Sequence, residues 1–289
     1  MKSVLSIVFA VLFCAIHTLH AGGGWPQPKG QGYFKLYEWW VVSDRHYTDI
    51  GLIDPNVTTG IFNTSFYGEY GFTDRITGVL NVPLFSRTYF NNSVSATTGD
   101  ILIPGEAVNS FGDLDLGITY GLIVGKPVAL SATLILGLPT GNPDGGSTGI
   151  LQTGDGEFNQ FLKLDAGTGF KLGKVPAYAN IYTGFNNRSN GFSDEFRYGA
   201  ELGLNLFNKK IWAIGRLTGV RSFQNGDPNL AINSTSVFAN NSEYLSLSPE
   251  LAYNINDKWG VSASAGFALS GRIIFAAPSY SVGVFYQLK

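Results

Sequence analysis

Apolar residues alternate with small or polar ones along most of the chain. In 111–122, Leu114, Leu116, Ile118, Tyr120 and Leu122 share one face, and Asp113, Asp115, Gly117, Thr119 and Gly121 share the other. In 158–171, Leu162, Leu164, Ala166 and Phe170 oppose Lys163, Asp165, Gly167 and Gly169. The same split separates Ile181 and Phe185 from Tyr178, Asn180 and Tyr182 in 176–186. It separates Phe196, Leu202 and Leu204 from Glu195, Arg197 and Glu201 in 194–206. Segments 243–254, 259–269 and 280–288 set Leu, Val, Ala and aromatic residues against Ser, Gly, Glu250 and Gln287. A period of two is the signature of a strand with two different faces. Noisier strands are expected near 31–46, 60–72, 75–90, 126–138 and 210–222, which makes twelve.

The connections specify the architecture. Short turns at 73–74, 125–126, 173–175, 208–209 and 257–258 are rich in Asn, Asp, Gly and Lys and suit tight hairpins. Longer polar loops at about 47–58, 91–110, 139–157, 187–193, 223–241 and 270–278 alternate strictly with them. Both termini then lie at the short-turn end. Short turns on one side, long loops on the other and an even strand number describe an outer-membrane barrel. The expected fold is all-β: a single closed antiparallel transmembrane β-barrel of about twelve strands covering 31–289. Lipid leaves backbone polar groups unsatisfied, so a spanning sheet must close on itself. A soluble sandwich would show the same alternation with its apolar face inward. Strand length, the two loop classes and aromatics near strand ends (Tyr33, Trp39, Trp40, Trp212, Trp259, Phe285, Tyr286) favour the membrane.

A barrel of this kind places its polar face inside. Asp113, Asp115, Lys163, Asp165, Glu195, Arg197, Glu201, Arg216 and Glu250 are therefore the candidate lumen-lining residues, with Glu69 and Arg87 as weaker ones. On the lipid face each Arg or Lys at mid-membrane costs about 2–4 kcal/mol. These charges either select a solute at a constriction or pair with one another and fill the lumen. Eight strands leave an interior filled by side chains and sixteen leave an open channel, so twelve predict a narrow lumen.

Composition adds what the chain lacks. Of 289 residues only 14% are charged and 14% are aromatic, with a net charge of −2. That excludes a disordered chain and gives no electrostatic reason to expect nucleic acid. Lys2 followed by the apolar run Val4–Ile16 and Ala21 reads as a secretory signal peptide at 1–21, removed on export. Residues 22–30 (GGGWPQPKG) form a flexible segment that either hangs below the barrel or enters it. The single Cys, the single Met and two of three His leave with residues 1–21. Disulfides, thiol nucleophiles and multi-His metal sites are thereby excluded, and no cofactor is implied.

FGDLDLGITYGL at 111–122, a Gly-Lys-Pro turn and VALSATLILGLPTG at 128–141 resemble the conserved hairpin of the outer-membrane family associated with the meta pathway of phenol degradation. Gly112-Asp113 and Gly137-Leu138-Pro139-Thr140-Gly141 carry the match. GGGWPQPKGQGYFKL and GEFNQ at 156–160 also resemble a group of outer-membrane proteins of Bacteroidetes-type bacteria. The resemblance implies a transport-type barrel without supplying a substrate or site residues.

Other chemistry is thin. Asp144, Asp155 and Glu157 lie in the Gly-rich loop 139–157, which is long enough to fold inward. They lack EF-hand spacing, and calcium needs six or more oxygens, so no metal is expected. His46 beside Ser43 is the one place for a lipid-hydrolysing enzyme, without a surrounding motif. Asn-x-Ser/Thr patterns at Asn56, Asn63, Asn187 and Asn233 read as loop composition. The sequence thus predicts a bacterial outer-membrane channel for a small solute, with membrane lipid around it and no catalytic residue. The alternative is a structural or surface-interaction barrel whose lumen is closed by salt bridges. No feature specifies the oligomeric state.

Overall fold

The computed structural model describes residues 23–228, 230 and 237–289. The expected signal peptide and Asn233 lie outside them. Sixteen strands follow in chain order: β1 (Gly32–Tyr47), β2 (Ile53–Gly71), β3 (Ile76–Phe90), β4 (Ser93–Val94), β5 (Ile101–Ile103), β6 (Glu106–Ser110), β7 (Leu114–Ile123), β8 (Val128–Leu138), β9 (Asn159–Leu172), β10 (Val175–Arg188), β11 (Glu195–Leu206), β12 (Ile211–Ser222), β13 (Glu243–Asn254), β14 (Trp259–Arg272), β15 (Ile274–Phe275) and β16 (Ser279–Leu288). Twelve of them form the wall. Each pairs antiparallel with its neighbour from β1 through β3, then from β7 through β14 to β16. β1 pairs with both β2 and β16, in registers such as Leu36↔Phe66 and Leu36↔Val284, so the sheet closes on itself.

The inside-out distribution removes the sandwich alternative. Leu116, Ile118, Leu164, Ile181, Leu202, Leu251 and Val284 are all exposed on the outer face. Among the described residues, buried side chains are mostly polar, 24 against 14 apolar ones. A water-soluble sandwich buries its apolar face; here the apolar core is one small cluster of Val41, Ile61 and Phe275.

Four sequence expectations need correcting. β2 begins at Ile53, so the first long loop shrinks to a tight connection at 48–52. The 91–110 loop contains the β4–β5 hairpin and β6, which extends the wall along the outer part of β3. The strand expected at 111–122 starts only at Leu114. Its first residues face Pro83, which has no N–H to donate, and Gly112 instead bonds the Pro83 carbonyl at 3.1 Å. The same proline marks a register shift in which Thr64 pairs with Phe85 but Ser65 with Pro83. The extra residue reverses the in–out parity of β3. Ser86 and Thr88 are therefore buried inside, and Arg87 turns outward to Asn109 and the Tyr89 ring, contrary to its reading as a lumen candidate.

The aromatic girdle is also smaller than expected. Trp40 packs on Tyr280, and Trp259 on Tyr286, with Tyr280 and Trp259 exposed on the outer face. Tyr33, Trp39, Trp212 and Phe285 lie on the opposite parity, inside: Tyr33 stacks on Phe285, Trp212 meets Tyr178 edge-on, and Trp39 packs on the small apolar core.

Candidate functional site

The middle of the lumen carries a belt of paired charge. Glu201 on β11 stands directly across from Arg216 on β12. The Arg216 guanidinium bridges Glu201 and Glu250, reaching the latter at 2.5 Å, and the Tyr178 hydroxyl donates to Glu201. Lys35 on β1 faces the other Glu250 oxygen at 3.7 Å. That reach crosses β14 and β16, whose lumen-side residues there (Ser262, Ser264, Ser281, Gly283) are small. On β9, Lys163 pairs with Asp165 at 3.1 Å and lies over the Tyr182 ring, while Asn180 donates to Asp165 at 3.3 Å. Glu69 on β2 accepts from Gln27 at 2.7 Å and from the Tyr67 hydroxyl. Asp115 has Asn81 at 3.4 Å. These side chains surround a cavity of about 370 Å³ holding Lys35, Lys163 and Arg216 against Glu69, Asp165, Glu201 and Glu250. Three cations face four carboxylates, leaving one excess negative charge. A second cavity of about 390 Å³ adjoins Glu69, Asp115 and Lys163.

At the long-loop end a second cluster ties the 139–157 loop to the wall. Arg188 pairs with Glu195 at 3.0 Å and with Asp155 at 2.8 Å. Arg197 makes two bonds to Glu195 and lies over the Phe161 ring. Asp113 accepts from the Gly141 and Asp155 amides at 2.9 and 2.8 Å. Glu157 is fully buried and accepts from the Asn190 and Phe192 amides. The lumen-side Thr88 hydroxyl donates to the Gln152 carbonyl at 2.6 Å. The loop is thus held inside the mouth, with Leu151 and Thr153 buried. Beyond it, the outermost residue of β6, Glu106, accepts from the Ser147 amide and hydroxyl, which holds its carboxyl below the usual range.

The short-turn end is filled by residues 23–31, which run up into the barrel. Gly24 donates to Asn180 at 2.9 Å, and the Gly23 carbonyl accepts from Ser131. Trp25 meets Tyr178 edge-on and lies over Gly167, where a Cβ would come within 2.5 Å of the indole. Gln27 is buried, its amide bonded to Thr77 and its side chain to Glu69. Lys29 and Gly30 bond Asp74 and Gly71 at the rim.

All nine lumen candidates read from the sequence lie on the inner side, divided between the two clusters. Asp165, Glu201, Arg216, Glu250 and Lys163 join the belt, with Asp115 beside it; Glu195, Arg197 and Asp113 join the mouth. Sequence reasoning missed Lys35 and Arg188. Lys35 sits in a noisy strand, although its alternation with Tyr33 and Tyr37 carried the signal. Arg188 fell in a presumed loop because β10 runs longer than its alternation. Asp155 and Glu157 are loop anchors, and no group of three or more metal-ligating side chains occurs among the described residues. The Ser43 hydroxyl donates to the Arg45 carbonyl, which takes it away from His46.

No protein-family model and no curated protein sequence matches the chain. Solved structures do. An outer membrane channel from Pseudomonas putida F1 superposes over 94% of this chain and 99% of its own, with a TM-score of 0.57 and 17% identity. The NanC porin superposes over 88% of this chain and 100% of its own, with a TM-score of 0.50 and 9% identity. The chain therefore shares the fold of outer-membrane barrels.

Proposed function

We propose that the protein is an outer-membrane channel that passes a small solute through a narrow polar lumen. The observation that carries this reading is the cavity of about 370 Å³ at mid-barrel, ringed by charged and tyrosine side chains and bordered by Gly23 of the inserted segment. A polar space at mid-barrel is what a permeant needs. The paired charges make the wall polar without making it strongly attractive to either ion sign. The two superposed structures, a channel and a porin, agree with the reading. Export through a cleaved signal peptide and contact with outer-membrane lipid belong to the same proposal. So do the kinship to the meta-pathway-associated barrels and the Bacteroidetes-type origin, which rest on the sequence motifs alone.

A closed structural barrel is the second reading, and one observation favours it: Lys35, Lys163, Arg188, Arg197 and Arg216 each have a carboxylate within ion-pair distance. Single-channel recording in a planar bilayer separates the two. Discrete, salt-dependent steps from the refolded chain, enlarged when residues 23–29 are deleted, are expected of a channel. Silence from both proteins, shown by protease protection to be inserted, makes the barrel structural.

A further inference from the structure

We propose that the second lumen cavity binds a small aliphatic diamine, an organic cation with an ammonium group at each end; this deepens the channel reading by naming its solute. The cavity of about 390 Å³ is bordered by Gly23, Trp25 and Pro26 of the inserted segment and has the size of a small-molecule site. Two carboxylates line it, Glu69 on β2 and Asp115 on β7. Lys163 lines it too, but its ammonium lies 3.1 Å from Asp165. The other lumen cations are likewise already paired: Lys35 and Arg216 with Glu250, and Arg197 with Glu195. Among the described residues, Glu69 and Asp115 are therefore left with neutral donors. Glu69, 5% exposed, accepts from the Gln27 side chain at 2.7 Å and from the Tyr67 hydroxyl. Asp115 accepts one long bond, from Asn81 at 3.4 Å.

A carboxylate taken out of water without a cation is unfavourable, and each carboxylate keeps lone pairs to spare. The floor between the two is apolar. Glu69 pairs in register with Val79 on β3, Val79 with Gly117 on β7, and Gly117 with Ile135 on β8. Val79 and Ile135 both line the cavity. Both also pack against Gly117, where a Cβ would lie 3.1 Å from the Ile135 Cγ1 and 3.3 Å from the Val79 Cβ. Asp115 follows one inward position beyond Gly117, across from Asn81. Strands about 4.8 Å apart, with about 3.4 Å per residue along them, put Glu69 and Asp115 roughly 12 Å apart at Cα. Their inward-reaching side chains shorten that gap to one that a short methylene chain with two ammonium groups spans.

The rest of the wall favours the same solute. Trp25, Tyr37 and Tyr67 line the cavity, and aromatic rings attract organic cations. Other solutes fit less well. An anion meets two carboxylates, and a neutral sugar leaves both uncompensated. A bare divalent metal needs six or more oxygens, and no group of three metal-ligating side chains occurs among the described residues.

The test uses the full chain folded in micelles, with putrescine as the probe and butylamine and succinate as controls. Calorimetric titration at low salt should show putrescine binding about tenfold tighter than butylamine, and no binding of succinate. Glu69→Gln and Asp115→Asn each remove one charge-assisted hydrogen bond to the probe and should weaken putrescine binding about tenfold, toward the butylamine value. Asp257→Asn, in an exposed turn at the short-turn end, removes the same formal charge and should leave binding unchanged. In bilayers, putrescine should interrupt the potassium chloride current of the wild-type chain and not that of the Glu69→Gln/Asp115→Asn double variant. Equal binding of putrescine and butylamine, unchanged putrescine binding in whichever carboxylate variant folds, or equal weakening by Asp257→Asn overturns the site and leaves the channel standing. Binding in micelles without interruption of an open channel overturns the diamine as that channel's solute. Binding as expected from a barrel silent in bilayers overturns the channel and keeps the site. Silence with no binding overturns both.

Discussion

Arg216→Met tests the charged belt most directly. The substitution keeps length and apolar stem but removes the guanidinium that joins Glu201 to Glu250. Removing one partner of a buried ion pair costs about 3–5 kcal/mol. The belt is not fully dry: the Arg216, Glu201 and Glu250 side chains are 35%, 21% and 9% exposed. Lys35 still faces Glu250 after the change, and Tyr178 still donates to Glu201. Water and these partners bring the expected loss down to about 2 kcal/mol. Urea unfolding in micelles, followed by tryptophan fluorescence, reads that loss as a lower midpoint. A double-mutant cycle with Glu250→Gln should return a coupling of about 1–2 kcal/mol, as expected for residues in one network. The belt's excess charge also rises from one negative to two, so the reversal potential in a salt gradient should move toward cation selectivity. A loss below about 0.5 kcal/mol, additive effects in the cycle and an unmoved reversal potential would together refute the bridge.

Four further outcomes are expected. Trp25→Ala should raise single-channel conductance by loosening the segment against Tyr178 and Gly167; unchanged conductance would mean the segment does not obstruct the lumen. Leu164→Arg should destabilise the barrel by about 2–4 kcal/mol in lipid vesicles, because Leu164 points outward and is 46% exposed; a neutral result would place β9 the other way round. Glu157→Ala should release the 139–157 loop, seen as faster proteolysis within that loop and no change in the rest of the barrel. Acid should loosen the same loop at its outer clip. Glu106 has a folded-state pKa below its ordinary 4.5, so its contribution is present above that value and disappears as pH falls through the lower folded one. Ser147→Pro, which removes the donating amide and hydroxyl, should abolish that acid step in loop proteolysis.

The legible part of the sequence was the part governed by one local rule. Residues in β9, β11 and β13 alternate so cleanly that Lys163, Arg197 and Glu250 could be assigned to the inner face from neighbours two positions away. The rule fails where the ladder gains a residue or where a contact spans other strands. Arg87 was misplaced because a proline on its own strand forced an extra residue into the ladder, and parity is lost after any such insertion. Lys35 and Glu250 pair across two strands of small side chains, a contact no local window contains. The aromatics differ for a related reason: Tyr33 lies near a strand end as boundary residues do and Trp39 lies mid-strand, but their parity sends both inward. The path of residues 23–31 was out of reach because its partners, Asn180, Ser131 and Glu69, are scattered over the chain.

That path also bears on how the barrel is put together. The last pairing to form joins β1 to β16, residues separated by nearly the whole sequence, and loop-closure entropy for such a span is on the order of 5 kcal/mol. Before it forms, the wall is an open, curling sheet with two bare edges. Residues 23–31 contact β2, β8, β9 and β10 from the concave side, and they lead directly into β1. Once seated, they tether the first strand to the middle of the sheet and draw one edge round toward the other. The segment at the short-turn end is in this sense a drawstring across the concave face of the sheet.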